Sequence, residues 1–242
     1  MSLDELIPAW GDRKVGQRSS LLLGGPFAAT PSMQRRPTID AVQSEMPFLH
    51  QREPTAVVGL ISPIFDEVAA RYSEEKYPTE PYAEFKRSFA ANVLDDDLIK
   101  RSLLWKYGKY NAGTFPERHR ASISRVTAAW PAFVASEARS RDSDTFTWWR
   151  TTLPRTSYIT AAYVTHLVHH VSVPIIDQHN FRAMNYLTAS VRPGFAYRKK
   201  PSSWNDIVDL GEFISAIRPL LGCSVERLDR FLMMYGRDEA PR

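Results

Sequence analysis

Asp177 is the residue of this sequence best placed to do chemistry. It is the only carboxylate between Asp144 and Asp206. The same interval holds a group of cations: Arg150, Arg155, Arg182, Arg192, Arg198, Lys199 and Lys200. A single acid in a basic field is suited to general-base or electrostatic work on a polyanion.

Asp177 also has a structural use. It stands at the start of a helical pattern, and an aspartate at an N-cap accepts hydrogen bonds from the first amides of the helix. The two uses are compatible, because an N-cap can hold a carboxylate rigidly at the edge of a cleft. The sequence leaves both open.

Histidines flank this aspartate. His166 and His170 have the spacing of zinc-binding helices, but no glutamate stands between them, and Asp177 is the one nearby acid in the sequence. A histidine beside Asp177 is more simply a donor to a base or a phosphate. Cys223 is the single cysteine, which excludes an internal disulfide and a cysteine-bound cluster. We therefore predict no metal and no cofactor.

The hydrophobic pattern predicts the elements that position Asp177. Residues 145–170 read as two helices joined at Leu153-Pro154, the second apolar and rich in small residues. Residues 173–188 read as an apolar extended run followed by a helix that Asp177 opens. Asp177 is thus predicted to follow a helical hairpin.

The order of Leu153-Pro154, Thr160-Ala161 and Val173-Pro174-Ile175-Ile176-Asp177, with Arg182 one turn later, resembles the helix-hairpin-helix (HhH-GPD) DNA glycosylases. In that family a hairpin binds DNA phosphates, and an aspartate after an apolar run is the catalytic carboxylate. The resemblance implies that Asp177 is catalytic. It also implies that the partner is double-stranded DNA containing a damaged or modified base.

Two departures from the family pattern are informative. The hairpin has Arg155, Thr156 and Ser157 where the family is rich in glycine, so side chains would replace backbone amides in contacting phosphates. Family members that also cut the strand carry a lysine before the Thr-Ala pair, where this chain has Ile159. The resemblance therefore implies a monofunctional enzyme that hydrolyses the bond between base and sugar and leaves an abasic site.

Aromatic and polar side chains are candidates for holding a flipped base. The stretch from Leu103 to Asn111 interleaves aromatics with cations, which is typical of nucleic-acid contacts and equally of a core helix with a glycine C-cap. The predicted substrate contacts are Trp105, Tyr107, Trp148, Gln178, His179 and Asn180. The predicted DNA contacts are Arg155, Thr156, Ser157, Arg182, Lys199 and Lys200.

Composition sets the remaining bounds. The chain has 242 residues, 43% of them hydrophobic, which suffices for a sizeable core, and its formal net charge of +4 permits nucleic-acid binding. We predict a proline-rich, irregular arm over residues 1–55 and an all-α domain over residues 56–242, with two helical lobes and a central cleft. With no apolar run of about 18 residues and no leader pattern, we expect a monomer that is cytoplasmic or nucleoid-associated and has no membrane partner.

Two further functions remain open at this point. One is a helix-hairpin-helix module that binds DNA without catalysis and uses Asp177 only as a cap. The other is a helical interaction protein, which would lack the steep salt dependence of phosphate contacts. The excised base is equally open. It could be alkylated, oxidised, or a bulky modified cytosine of phage DNA, the last implying antiviral defence.

Overall fold

The computed structural model describes residue 49 and residues 53–241, and all regular structure in this part of the chain is helical. The α-helices are α1 (Glu53–Ile61), α2 (Phe65–Ala70), α3 (Thr79–Ala91), α4 (Asp96–Lys106), α5 (Glu117–Val134), α6 (Asp142–Thr152), α7 (Tyr158–Val168), α8 (Gln178–Val191), α9 (Trp204–Leu221) and α10 (Val225–Asp238). The predicted all-α class is confirmed. Most of the predicted arm lies outside the described residues, and α1 begins before the predicted start at Ala56.

The first helical segment differs from its pattern. The periodicity from Ala56 to Tyr72 predicts one helix kinked at Pro63, whereas a turn of 3-10 helix, Ser62–Ile64, separates α1 from α2. Proline lacks the amide that would continue the α-helical hydrogen bonds, so the break falls there. The two helices still share one buried stripe, formed by Val57, Ile61, Phe65 and Val68.

The end of α3 also departs from expectation. Val93, expected on a buried stripe with Phe85 and Phe89, is 71% exposed. The helix ends at Ala91, and Asn92 takes a left-handed conformation with φ 58° that turns the chain away from the core. The run Asp95-Asp96-Asp97 predicts an acidic cap on the next helix. This is confirmed, because Oδ1 of Asp95 accepts a 2.7 Å hydrogen bond from the amide of Leu98.

Helices α6 and α7 occupy the predicted hairpin. The polar residues 140–144 predict a loop. That prediction is wrong, because a 3-10 turn covers Glu137–Ser140 and α6 already starts at Asp142, one residue further on. The turn between α6 and α7 is closed by the amide of Ser157, which donates to the carbonyl of Pro154 at 2.8 Å. Leu153 is buried beneath it.

Helices α8 and α10 make the closest approach described in this fold. A Cβ atom at Gly236 would lie 1.8 Å from the carbonyl oxygen of His179, so only glycine fits at this crossing. Nη1 of Arg182 donates to the carbonyl of Gly236 at 3.1 Å across the same contact. This crossing presses α10 against the first turns of α8, the helix that Asp177 opens.

Candidate active site around Asp177

The carboxylate of Asp177 is held by the N-terminus of α8. Its Oδ1 accepts hydrogen bonds from the amides of His179, at 2.7 Å, and Asn180, at 3.0 Å. The side chain of Asn180 accepts in return from the amide of Asp177 at 2.8 Å, which completes a capping box. The predicted N-cap role is confirmed, and the carboxylate has a fixed direction.

The other carboxylate oxygen of Asp177 meets a lysine that the sequence patterns did not single out. Its Oδ2 lies 3.6 Å from Nζ of Lys106, the last residue of α4, whose side chain is only 5% exposed. Burial by itself would raise the pKa of Asp177. The Lys106 charge and the amides of Asn180 and His179 outweigh burial and hold that pKa below its usual value. Asp177 is therefore ionised at neutral pH.

A second carboxylate reaches the same place from α10. The side-chain amide of Asn180 donates to Oδ1 of Asp229 at 3.0 Å and to the carbonyl of Ile175 at 2.9 Å. Burial, and then the negative charge of Asp177, raise the pKa of Asp229 to about 7. Asn180 thus connects two carboxyl groups whose pKa values have moved in opposite directions, the arrangement that separates a base from an acid in enzyme sites.

Packed aromatic rings surround these polar groups. Tyr82 stacks on Trp105 with ring centroids 4.6 Å apart, and Trp105 stacks on Tyr163 at 6.1 Å. Nζ of Lys106 lies 5.7 Å from the ring centroid of Tyr163. Burial and the charge of Asp177 both raise the pKa of Tyr77, whose ring contacts Trp105 edge-on. The ion pair of Lys106 and Asp177 is therefore bordered by an aromatic cluster.

The predicted substrate contacts lie in different parts of the structure. Asn180 is buried and committed to the capping box and to Asp229, whereas Gln178 and His179 are partly exposed beside Asp177. Trp105 is corrected to a core residue, because its ring is 5% exposed and its Nε1 donates to the carbonyl of Pro78. Trp148 belongs to another cluster, where it packs on the rings of Phe133 and Trp149.

Tyr107 connects the site to the hairpin. Its hydroxyl lies 2.9 Å from Oγ1 of Thr160 in the first turn of α7, and its ring stacks on His119 at 4.2 Å. Because Tyr107 follows Lys106 directly, this contact ties the lysine end of α4 to the start of α7. The side chain thus bridges two helices, and its contact with a base stays a prediction.

His166 and His169 serve the fold. His166 is buried, with Nδ1 2.6 Å from the carbonyl of Val173 and Nε2 2.5 Å from the hydroxyl of Tyr82. Burial lowers the pKa of His166 to about 3, so the ring is neutral and both of its nitrogens are occupied. Nε2 of His169 lies 2.8 Å from Oγ1 of Thr145. The described residues include no group of three or more His, Cys, Asp or Glu side chains able to hold a metal ion.

The predicted DNA contacts divide into exposed and buried residues. Arg155 and Thr156 are exposed in the hairpin turn and Ser157 is partly exposed, while Lys199 and Lys200 are exposed between α8 and α9. The hydroxyl of Tyr158 donates to the carbonyl of Ser203 at 2.9 Å, which brings the hairpin turn and that basic loop together. We call these residues the basic edge: Arg155, Thr156, Ser157, Lys199 and Lys200.

Arg182 does not belong to the basic edge. It is 5% exposed and its guanidinium donates to Gly236, so its predicted phosphate contact is corrected to a packing role between α8 and α10. No helix in the described part of the chain combines the length and the apolarity needed to cross a bilayer.

Asp229 and Lys106 are the site residues that sequence reasoning missed. Asp229 lies on one stripe of α10 with Val225, Leu232 and Gly236, and the last two are buried. An aspartate on the apolar stripe of an amphipathic helix indicates a buried, hydrogen-bonded side chain, and this signal is present in the sequence. Lys106 had a weaker signal, as one cation among several in an aromatic stretch.

Comparison with protein-family models, with curated proteins and with solved structures gave no match. The function therefore rests on the geometry of this chain.

Proposed function

We propose that this protein is a monofunctional DNA glycosylase of the helix-hairpin-helix type, with Asp177 as its catalytic carboxylate. The observation that carries the proposal is the state of Asp177. It is an ionised carboxylate, held by two helix amides and a buried lysine, at the start of the helix that follows a hairpin. Lowering of a carboxyl pKa by a specific charged partner is a feature of functional sites.

The chemistry follows from the charge that develops in the reaction. A base inside a duplex cannot be reached, so the enzyme flips it out at a cost of a few kcal/mol. As the bond between base and sugar breaks, positive charge grows on the sugar. The ionised Asp177 stabilises that charge and orients a water for attack on the anomeric carbon. Gln178 and His179 lie beside the carboxylate, where they can contact the nucleotide.

Binding of the DNA backbone is assigned to the basic edge. Its exposed arginine and lysines neutralise phosphates, and Thr156 and Ser157 supply hydroxyl donors. The contact between Tyr107 and Thr160 connects the hairpin to the chain segment that carries Lys106. DNA held at the hairpin is thereby coupled through one side chain to the neighbourhood of Asp177.

The position of Lys106 is relevant to whether the enzyme also cuts the DNA strand. It reaches Asp177 from α4, whereas Ile159 occupies the position of the family's nucleophilic lysine on α7. Ile159 has no amine to form a Schiff base with the sugar, and the amine of Lys106 is engaged with the Asp177 carboxylate. We assign Lys106 to keeping Asp177 ionised, so borohydride should trap no covalent adduct between the protein and abasic DNA.

The capping box gives specific support to the alternative, a hairpin module that binds DNA without catalysis. In that alternative Asp177 contributes only its hydrogen bonds to the α8 amides. The two functions differ in the expected result of one substitution, Asp177→Asn. Asparagine is as good an N-cap as aspartate, so it retains the cap and removes the charge.

The test is a panel of duplex DNAs incubated with wild type and with Asp177→Asn. The panel contains uracil, oxidised guanine, methylated purines and phage genomes with bulky modified cytosine. Released bases are identified by mass spectrometry, and abasic sites by alkali cleavage. We expect release from at least one DNA, reduced by roughly 10²–10³-fold or more in Asp177→Asn, the size of effect seen when one transition-state charge contact is removed.

Asp95→Asn is the matched control, because Asp95 caps α4 in the same way and is exposed. It should leave base release unchanged. If no DNA in the panel loses a base while salt-sensitive DNA binding is equal in all three proteins, the non-catalytic module is the correct function.

A further inference from the structure

Asp229 stands where an amphipathic helix normally places an apolar side chain. Its neighbours on the stripe, Leu232 and Gly236, are buried against the core and α8. The arginines on either side of it point elsewhere, because Arg227 pairs with Asp66 and Arg230 with Glu74. Asp229 itself is only partly exposed and takes a hydrogen bond from Asn180. Burial of a carboxyl group stabilises its protonated form.

The surroundings of Asp229 keep that proton in place. Several groups interact with Asp229 through charge or a hydrogen bond. They are Asp177 and Asn180 at the start of α8, Lys106 of α4, Tyr82 of α3, Tyr72 after α2, and Glu226 of α10. Burial and repulsion from Asp177 raise the pKa of Asp229, and Asn180 and Lys106 reduce the rise without cancelling it. At neutral pH a substantial fraction of Asp229 is protonated while Asp177 is not.

We propose that Asp229 is the general acid of the same reaction, giving its proton to the departing base while Asp177 stabilises the sugar. This assignment rests on the proposed glycosylase function. Its geometric basis is that Asn180 contacts both carboxyl groups. The backbone amide of Asn180 donates to Asp177 and its side-chain amide donates to Asp229, each at 3.0 Å. Asn180 therefore holds the acid, Asp229, and the base, Asp177, through hydrogen bonds to both.

The bond between the anomeric carbon and the base nitrogen breaks, and its electron pair stays with the base. The Asp229 proton moves to a ring nitrogen or carbonyl oxygen of the base, so the base leaves neutral. Water adds to the anomeric carbon and loses a proton to Asp177. Solvent then returns one proton to Asp229 and removes one from Asp177, so the net reaction consumes one water.

The assignment also defines a substrate class. A neutral base is a poor leaving group and gains from protonation, whereas an alkylated base that already carries positive charge gains nothing. A general acid poised near neutral pH is therefore useful only for neutral bases, such as oxidised purines or modified cytosines. For cationic methylated purines the Asp229 proton is predicted to make no difference to the rate.

The experiment compares single-turnover base release by wild type and Asp229→Asn from about pH 5 to about pH 9, on whichever DNA of the panel is a substrate. We expect the wild-type rate to fall about tenfold per pH unit above about pH 7. Asp229→Asn should be slower by roughly 10²–10⁴-fold at low pH and should lack this fall, since an amide has no proton to give. Asp95→Asn, at the exposed cap of α4, is the control and should retain the wild-type profile.

Every outcome decides one of the two proposals. An Asp229→Asn rate that is lowered but keeps the wild-type fall with pH overturns the general acid and leaves a packing role. Release of a cationic methylated purine that Asp229→Asn slows as strongly as release of a neutral base does the same, while the glycosylase function stands. Release from no DNA by the wild type overturns both. The variant's thermal melting shows separately that it is folded.

Discussion

Replacing Gly236 with alanine should force α10 away from α8. The new Cβ would lie 1.8 Å from the carbonyl oxygen of His179, 2.6 Å from its carbonyl carbon and 3.1 Å from the amide nitrogen of Ala183. All three are backbone atoms of α8, so no side-chain rotation relieves the clash. Because ordinary contacts to carbon lie at about 3.5–4.0 Å, the helices must separate by roughly 1.5–2 Å.

The loss of stability can be estimated from this displacement. Overpacking a close contact costs about 1–3 kcal/mol, and obstruction by backbone places this site at the upper end. Alanine returns about 0.5–1 kcal/mol through its better helix propensity. The net loss of about 2 kcal/mol corresponds to a fall in Tm of roughly 4–8 °C for a chain of this size.

The assay is thermal unfolding followed by circular dichroism, with Gly59→Ala as the matched control. Gly59 lies inside α1, and a Cβ there would meet nothing within 4 Å. That substitution should therefore raise Tm by about 1–4 °C. If Gly236→Ala melts at or above the wild-type temperature, the close crossing is refuted, and with it the placement of Asp229 beside Asn180.

Two further predictions concern charge. The folded-state pKa of Asp229, about 7, lies above its ordinary value, so this carboxyl group progressively lowers stability as the pH rises from about 4 to about 7. Asp229→Asn should remove that loss and melt above wild type at neutral pH, and an advantage that is the same at pH 4 and pH 7 would contradict the pKa direction. Arg155→Ala should weaken DNA binding equally for all sequences and reduce the slope of log affinity against log salt by about 1. An unchanged slope in fluorescence-anisotropy titrations would remove Arg155 from the basic edge.

Local patterns in the sequence were sufficient to predict much of the secondary structure. Helical periodicity predicts helices over residues 115–136, 204–221 and 224–235, close to the observed bounds of α5, α9 and α10. Asp95 and Asp177 both cap helices as aspartates should. These features depend on residues within one or two turns of each other, so the sequence contains the information directly. The break at Pro63 was also signalled, although as a kink.

The residues that form the site were harder to predict from the sequence. Asp177 was identified from its isolation among cations, and its N-cap role was predicted, but the catalytic role and the DNA partner stay predictions. Trp105 and Arg182 have the residue types of binding contacts, and each is instead covered by neighbouring helices. Residue type shows what a side chain is able to contact. Burial decides whether a ligand can reach it.

The sequence by itself determined the helices, their caps and the position of Asp177 at the start of α8, because these arise from interactions between near neighbours in the chain. Only the tertiary structure decided that Lys106 and Asp229 join it, from α4 and α10. That meeting depends on the way α8 and α10 cross at Gly236 and on the direction in which α4 ends. The same packing that buries much of the cluster sets the opposite pKa shifts of its two carboxyl groups.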